Sequence, residues 1–246
     1  MIKISNVCLK AHTDDYSIFH NLTIDIMENE FIMIVGRNGV GKSSFLRLIN
    51  GEIKNFTGCA TVDGHSVKSM HSSQRKKLFS YVTQYPDSNT VSDMTVFENL
   101  NLAYMQGKRR GMRLYNTKER RSFFMEKLKE LDIGLERKLN QFVATLSGGQ
   151  RQLLSVVMSL LSESKILLMD EITSALDPKT SDNVMKLTRK ILRGKTVLMI
   201  THDMHHAIEY GDRLIILNDG SVMHQFKEKE KSSLKPLELI KLLGEG

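Results

Sequence analysis

The amino-acid sequence predicts an α/β protein, a mainly parallel sheet covered by helices, with a helical segment inserted between its sheet-forming parts. Two observations carry this. Short apolar runs alternate with longer stretches of helical spacing along the chain. The runs are also continuous, as in Phe31-Ile32-Met33-Ile34-Val35, and lack the polar alternation of a strand with one wet face, so they read as strands buried on both sides. The 246 residues suffice for one large or two small domains with a sizeable core.

Taken in order, the strand at Phe31 to Val35 leads into a helix from about Lys42. Thr95 and Glu98 have capping-box spacing, in which hydroxyl and carboxylate each satisfy a free backbone N–H, and a helix through about Met105 follows. Residues 117 to 131 repeat helical spacing at Phe124, Leu128 and Leu131. Ser147 is a natural N-cap for the apolar helix Leu153 to Leu161. The stretch from about 88 to 160 therefore reads as a helical subdomain. A strand at Ile166 to Met169 precedes a helix after Pro178, for which Asp177 is an N-cap followed by proline at N1. Thr196 to Thr201 is a further strand, and Leu214 to Leu217 and Ser221 to Gln225 form a hairpin about Asn218-Asp219-Gly220. Beyond the mixed-charge run Lys227 to Lys231, Leu237, Ile240 and Leu243 fit a short terminal helix. Repeats and low-complexity linkers are absent.

Composition excludes several classes. No apolar run reaches the roughly 18 residues that span a bilayer, and Met1 to Asn6 lacks the apolar core of a signal peptide, so a cytoplasmic chain is expected. Cys8 and Cys59 have neither metal-ligand nor redox spacing. The net charge of +7 sits almost wholly in GKRRGMRLYNTKERR, residues 107 to 121, where Lys108, Arg109, Arg110, Arg113, Lys118, Arg120 and Arg121 face only Glu119. This segment reads either as a solvated loop and helix start or as a contact for anionic lipid headgroups or a membrane partner, each basic residue near the surface contributing about 1 kcal/mol. Without a reading module, it does not point to nucleic acid.

Three motifs carry chemistry. Gly36-Arg37-Asn38-Gly39-Val40-Gly41-Lys42-Ser43 fits G-x-x-x-x-G-K-[ST], directly after a strand, where backbone N–H groups wrap a nucleotide's phosphates. Lys42 is expected to reach the β- and γ-phosphates, and the Ser43 hydroxyl to bind Mg²⁺, with the following helix pointing its positive end at the same charges; Ser44 is grouped with these residues. Ile166 to Met169 ends in Asp170-Glu171, placing two carboxylates at a strand's C-terminal end. Asp170 would hold Mg²⁺, often through water, and Glu171 would deprotonate the attacking water; in isolation the pair could also merely solvate a strand end. Leu146-Ser147-Gly148-Gly149-Gln150 offers a second glycine-rich helix start, which is a cap and also a surface for an anion.

With Gln84 after Tyr81-Val82-Thr83, Ser174-Ala175-Leu176-Asp177 and His202, these motifs stand in the order found in the nucleotide-binding subunits of ABC (ATP-binding cassette) transporters, which the chain resembles over essentially its whole length. The resemblance implies a P-loop NTPase fold with an N-terminal antiparallel β region: one cassette of residues 1-246, with a catalytic core at about 1-87 and 161-246 and a helical subdomain at about 88-160. It implies ATP and Mg²⁺ as ligands and head-to-tail pairing with a second copy, each ATP lying between one subunit's phosphate loop and the other's Ser147, Gly148, Gly149 and Gln150. Gln84 then resembles the residue that contacts Mg²⁺ or water and senses the membrane partner, His202 the one that contacts the γ-phosphate, and Asp177 one that crosses the interface. Where the family stacks an aromatic on adenine, this chain has Ala11-His12; Tyr16 or His12 could serve.

A cassette with no membrane span implies separate permease subunits and a place on the cytoplasmic face of the membrane. GKRRGMRLYNTKERR, LKELDIGLERKLN and Ala175 to Thr180 resemble bacterial uptake ATPases of the tryptophan or tyrosine subgroup, which implies import, an amino-acid cargo and, indirectly, an extracytoplasmic binding protein. The other reading is a soluble ABC ATPase, as in iron-sulfur cluster assembly; repair types carry long coiled coils and translation types two cassettes, and neither is present.

Overall fold

The computed structural model describes residues 1–11, 17–106 and 116–244. In chain order the elements are β1 (Ile2–Lys10), β2 (Ser17–Ile26), β3 (Phe31–Val35), α1 (Lys42–Ile49), β4 (Thr57–Val62), β5 (His65–Ser66), α2 (Ser72–Leu78), β6 (Phe79–Val82), α3 (Val96–Tyr104), α4 (Lys118–Leu131), α5 (Gly148–Leu161), β7 (Ile166–Asp170), α6 (Pro178–Ile191), β8 (Thr196–Ile200), α7 (Met204–Tyr210), β9 (Arg213–Asn218), β10 (Ser221–Lys227), α8 (Glu228–Lys231) and α9 (Pro236–Leu242). They fall into two compact units, one of Met1–Arg75, Leu168–Glu171 and Gly194–Gly246, the other of Lys76–Leu167 and Ile172–Arg193.

In the first unit, β1, β2, β4 and β5 make an antiparallel sheet in the order β2-β1-β4-β5. Its inner face is built by alternation: Ile2, Ile4, Val7 and Leu9 of β1 are buried with Leu22, Ile24 and Ile26 of β2. A bulge interrupts the β1/β4 register between Ser5 and Cys8, with Asn6 at φ 51°. The other strands of this unit run in the order β10-β9-β3-β8-β7. Here β3 is parallel to both β8 and β9, with Phe31 beside Val197 and Ile32 beside Arg213. All five residues of β3 and of β8 are buried, as their unbroken apolar runs require. The β9/β10 hairpin turns at Asp219 (φ 42°) and Gly220 (φ 64°), both left-handed, which matches strand twist.

The second unit is mostly helical. Thr95 caps α3 with the reciprocal Glu98 bond, and Ser147 caps α5 in the same way with Gln150. Phe97, Leu100 and Ala103 of α3, Phe124 and Leu128 of α4, and Leu153, Leu154, Val156 and Val157 of α5 form its core. Helix α6 belongs to the same unit and packs on α5: a Cβ on Gly149 would lie 2.5 Å from Thr180 Cγ2.

Two basic residues of the 107 to 121 segment are committed to packing in this unit. Arg121 lies over the Phe97 ring at 4.2 Å and donates to Asn116 and Asn140, and Arg120 lies over Tyr104 at 5.0 Å and donates to Asn101. Both side chains are half-buried and make cation–π and hydrogen-bond contacts. Lys108, Arg109, Arg110 and Arg113, like His12 and Tyr16, lie outside the described residues. Among the described residues, no helix is long and apolar enough to cross a membrane.

Candidate active site

Three parts of the first unit's site emerge from the C-terminal ends of neighbouring strands. The loop Gly36 to Gly41 follows β3, Asp170 ends β7 with Glu171 next, and His202 lies just past β8. Two backbone bonds align these ends: Glu171 N donates to Ile200 O at 3.0 Å, and Thr201 N to Ile34 O at 3.1 Å. Strand ends of an open α/β sheet are where such folds gather ligand-binding groups.

The loop's glycines are required by the backbone itself. Gly36 passes so close to β9 that a Cβ would lie 2.5 Å from Leu217 O. Gly41, the N-cap of α1, has φ 98°, and a Cβ there would lie 2.8 Å from Ile18 Cγ2. A glycine cap contributes no side-chain hydrogen bond, and the N-terminus of α1 carries the partial positive end of the helix dipole. Beside them Lys42 is buried, 6% exposed, and its Nζ donates to the carbonyls of Gly36 (2.8 Å) and Arg37 (3.0 Å). Arg37, Asn38, Gly39 and Ser43 are exposed, whereas Val40 is buried and Ser44 half-buried. The arrangement fits a polyanion: a glycine-capped helix start, a fixed ammonium and a dipole of one sign stand together.

Glu171 occupies the left-handed region at φ 52°, a conformation that costs a non-glycine residue about 1 to 2 kcal/mol. Its Oε1 accepts from His202 Nε2 at 2.6 Å, with the two side chains 22% and 40% exposed. The turn that presents His202 is fixed by Asp203, whose N–H donates to Thr201 Oγ1 (3.0 Å) and whose Oδ1 accepts from His205 N (2.8 Å) and His206 N (3.0 Å), capping α7. Among the described residues, no group of three or more His, Cys, Asp or Glu could hold a metal ion. Ser43, exposed in the first turn of α1, and Asp170, half-buried at the end of β7, are the two residues whose side-chain oxygens the sequence assigns to Mg²⁺.

A cleft of about 640 Å³ adjoins Ser44, lined in part by Ala11, Ile18, Arg47, Asn55 and Phe56. Arg47 is paired there with Glu52 at 3.3 Å. Periodicity gave Ile18 no weight, although it walls both this cleft and Gly41; it lies two residues beyond Tyr16, in the alternating run of β2.

Gln84, Ser147 to Gln150 and Asp177 belong to the second unit. Ser147 Oγ accepts from Gln150 N at 3.4 Å, and Gln150 Oε1 accepts from Ser147 N at 3.2 Å and from Lys138 Nζ at 2.9 Å. Thus Gln150 closes a capping box, a role the sequence signals through its S-x-x-Q spacing. Gly148 and Gly149 face α6 and its approach: added Cβ atoms would lie 3.2 Å from Leu176 Cδ2 and 2.5 Å from Thr180 Cγ2. Asp177 caps α6, accepting from Thr180 N at 3.1 Å. Bonds from the Thr180 hydroxyl and then its amide hold the Asp177 carboxyl below its ordinary range. Gln84 is half-buried after β6, and Thr83 before it is pinned through its N–H to Asn89 Oδ1 at 2.9 Å.

Known proteins share this organisation. The ABC transporter family model matches residues 19–174. The chain is 43% identical to the tyrosine transport ATP-binding protein of Clostridioides difficile (strain R20291), over 98% of this chain and 97% of that protein. It is 32% identical to the methionine import ATP-binding protein MetN of Clostridium tetani (strain Massachusetts / E88), over 90% of this chain and 68% of that one. Among solved structures, it resembles the dimeric post-hydrolysis state of the ATP-binding cassette MJ0796 bound to ADP and Pi, with TM-score 0.76, 31% identity, and coverage of 93% of this chain and 99% of that chain. It also resembles cbiO1 from Clostridium perfringens, part of the ABC transporter complex cbiONQ, with TM-score 0.80, 25% identity, and coverage of 98% and 94%. The chain belongs to the ABC transporter family, as an ATP-binding cassette that hydrolyses ATP.

Proposed function

We propose that this cassette powers amino-acid import through a separate membrane permease, working on its cytoplasmic face as a head-to-tail pair, and that Glu171 is its catalytic base. The observation that carries the catalytic part is the Glu171 carboxylate, held at a strained φ and 2.6 Å from His202, on strand ends aligned with the phosphate loop. Strain of this kind persists where the surrounding structure over-determines a conformation, and it gathers at active sites.

Backbone amides of Gly39 to Ser43 and the Lys42 ammonium bind the β- and γ-phosphates, with Arg37, Asn38 and Ser44 on the loop's flanks. Ser43 and Asp170 would hold Mg²⁺, which would supply positive charge to neutralise the phosphates; Gln84 is the residue that the family resemblance assigns to Mg²⁺ or water. Glu171 accepts a proton from the water that attacks the γ-phosphorus, while ADP leaves with the β–γ bridging oxygen. His202 orients that carboxylate through Nε2 and contacts the γ-phosphate. The base occupies the cleft beside Ser44, with Tyr16 as the stacking residue. Ser147, Gly148, Gly149, Gln150 and Asp177 complete the opposite subunit's site.

Import of an aromatic amino acid rests on the near full-length likeness to a tyrosine transport ATP-binding protein. The catalytic assignment is tested with Glu171→Gln in the purified chain: turnover should fall by roughly 10² to 10⁴ while ATP affinity is kept. Near-normal turnover removes Glu171 from the role. For the cargo, co-purification from detergent-solubilised membranes should recover a permease, whose companion binding protein should take up tyrosine or tryptophan; recovery of soluble partners alone contradicts transport.

A further inference from the structure

Within the second unit, the turn that carries Gln84 rides on the helix that Ser147 caps. Asp87, in the 3-10 turn Pro86–Ser88, accepts from Arg151 Nη1 at 2.8 Å. Gln152, the next residue along α5 and only 1% exposed, donates its Nε2 to the Thr83 carbonyl at 3.4 Å. The turn is also braced internally: Asn89 Oδ1 accepts from both the N–H and the hydroxyl of Thr83 at 2.9 Å, Asn89 Nδ2 donates to Tyr81 O at 2.8 Å, and Thr90 Oγ1 donates to Pro86 O at 3.0 Å.

Consecutive residues on a helix point about 100° apart, so Arg151 and Gln152 grip the turn at two separated places, Asp87 and Thr83. Gln84 lies between those grips, and Tyr85 beside it is 61% exposed. An ion pair whose side chains are 28% and 63% exposed adds little to folding stability, so its consequence is geometric.

We propose that Arg151 and Gln152 are positioning residues that fix Gln84 to the Ser147 end of α5, so that the two move as one piece when the exposed Tyr85–Ser88 turn is displaced. This rests on the reading of Gln84 and Ser147 as nucleotide-facing groups. It adds to that reading a defined link between them, carried by the Arg151 and Gln152 side chains.

The test is a charge-swap cycle in the full chain, reading kcat, KM for ATP and thermal midpoint. Asp87→Arg and Arg151→Asp should each lower kcat about 5- to 10-fold, with KM within about 2-fold and the midpoint unchanged. The double swap Asp87→Arg/Arg151→Asp should restore kcat to within about 2-fold of the parent, and Arg151→Lys should retain most of it. Additive losses in the double swap, or unchanged kcat in both single variants, overturn the coupling. A fall in midpoint that tracks the fall in kcat assigns the pair to folding and overturns it too. Gln84→Ala in parallel separates the claims: normal turnover in that variant refutes the catalytic reading of Gln84, while the swap cycle still decides whether the turn and helix are linked.

Discussion

The phosphate loop and Leu146 to Gln150 both place glycines before a helix, yet they are built on opposite terms. At α1 the cap is Gly41, which makes no side-chain cap bond, and the adjacent charge is a buried lysine held by the loop's own carbonyls. At α5 the cap is Ser147, its amides are served by a closed capping box, and Gln150 is engaged again by Lys138. The glycines differ in the same sense. Gly41 is demanded by a left-handed backbone, whereas Gly149 is demanded by the approach of Thr180. The first element pairs a glycine cap with a fixed ammonium; the second closes its capping box within itself.

The largest effect should separate chemistry from binding in the first unit: Lys42→Ala should lose both nucleotide affinity and hydrolysis, whereas Glu171→Gln should lose roughly 10² to 10⁴ of turnover and keep affinity, as measured by equilibrium nucleotide titration beside an ATPase assay. In the second unit the expected losses are structural. Gly149→Ala should destabilise the protein by about 1 to 3 kcal/mol through overpacking against Thr180, and Thr180→Ser, which removes Cγ2 and keeps the hydroxyl, should recover most of that in a denaturant-melt cycle. If Gly149→Ala is neutral in stability and harmful only to hydrolysis, the glycine serves the ligand instead.

A smaller effect probes the strain at Glu171. Glycine tolerates φ 52°, so Glu171→Gly should be more stable than Glu171→Ala by about 1 kcal/mol although both are inactive; equal stabilities remove the strain. The smallest concerns acid. Backbone and hydroxyl bonds from Thr95 hold Glu98 below its usual range, and Thr180 does the same for Asp177. Folded-state values below the unfolded ones mean stabilisation that is complete above about pH 4 to 5 and lost as pH falls through the folded values. Glu98→Gln/Asp177→Asn should therefore lose less stability between about pH 5 and 3 than the parent in acid melts.

Much of this was legible because its signals are local. A strand buried on both faces must be apolar throughout, so β3 and β8 stand out, and β3 runs straight into the loop that needs it. Caps at Thr95, Ser147 and Asp177 lie within three residues of the amides they serve. The rest depends on distant partners or on segments with no apolar face. All residues of α2 are unburied, so periodicity had nothing to show. The β1 bulge depends on β4, and the second unit takes in Ile172–Arg193, where Thr180 meets Gly149, a contact between elements that are separate in sequence. The link from Asp87 to Arg151 is of the same non-local kind.

The measurement that bears most directly on the division of labour is a mixing experiment. A chain with Lys42→Ala retains an intact Ser147 loop, and a chain with Ser147→Arg retains an intact phosphate loop. Each alone should be nearly inactive. Mixed in equal amounts, they should recover up to about a quarter of parental ATPase activity, because half the pairs are mixed and each mixed pair has one complete site. Absence of any recovery would contradict a site shared between two copies of the chain.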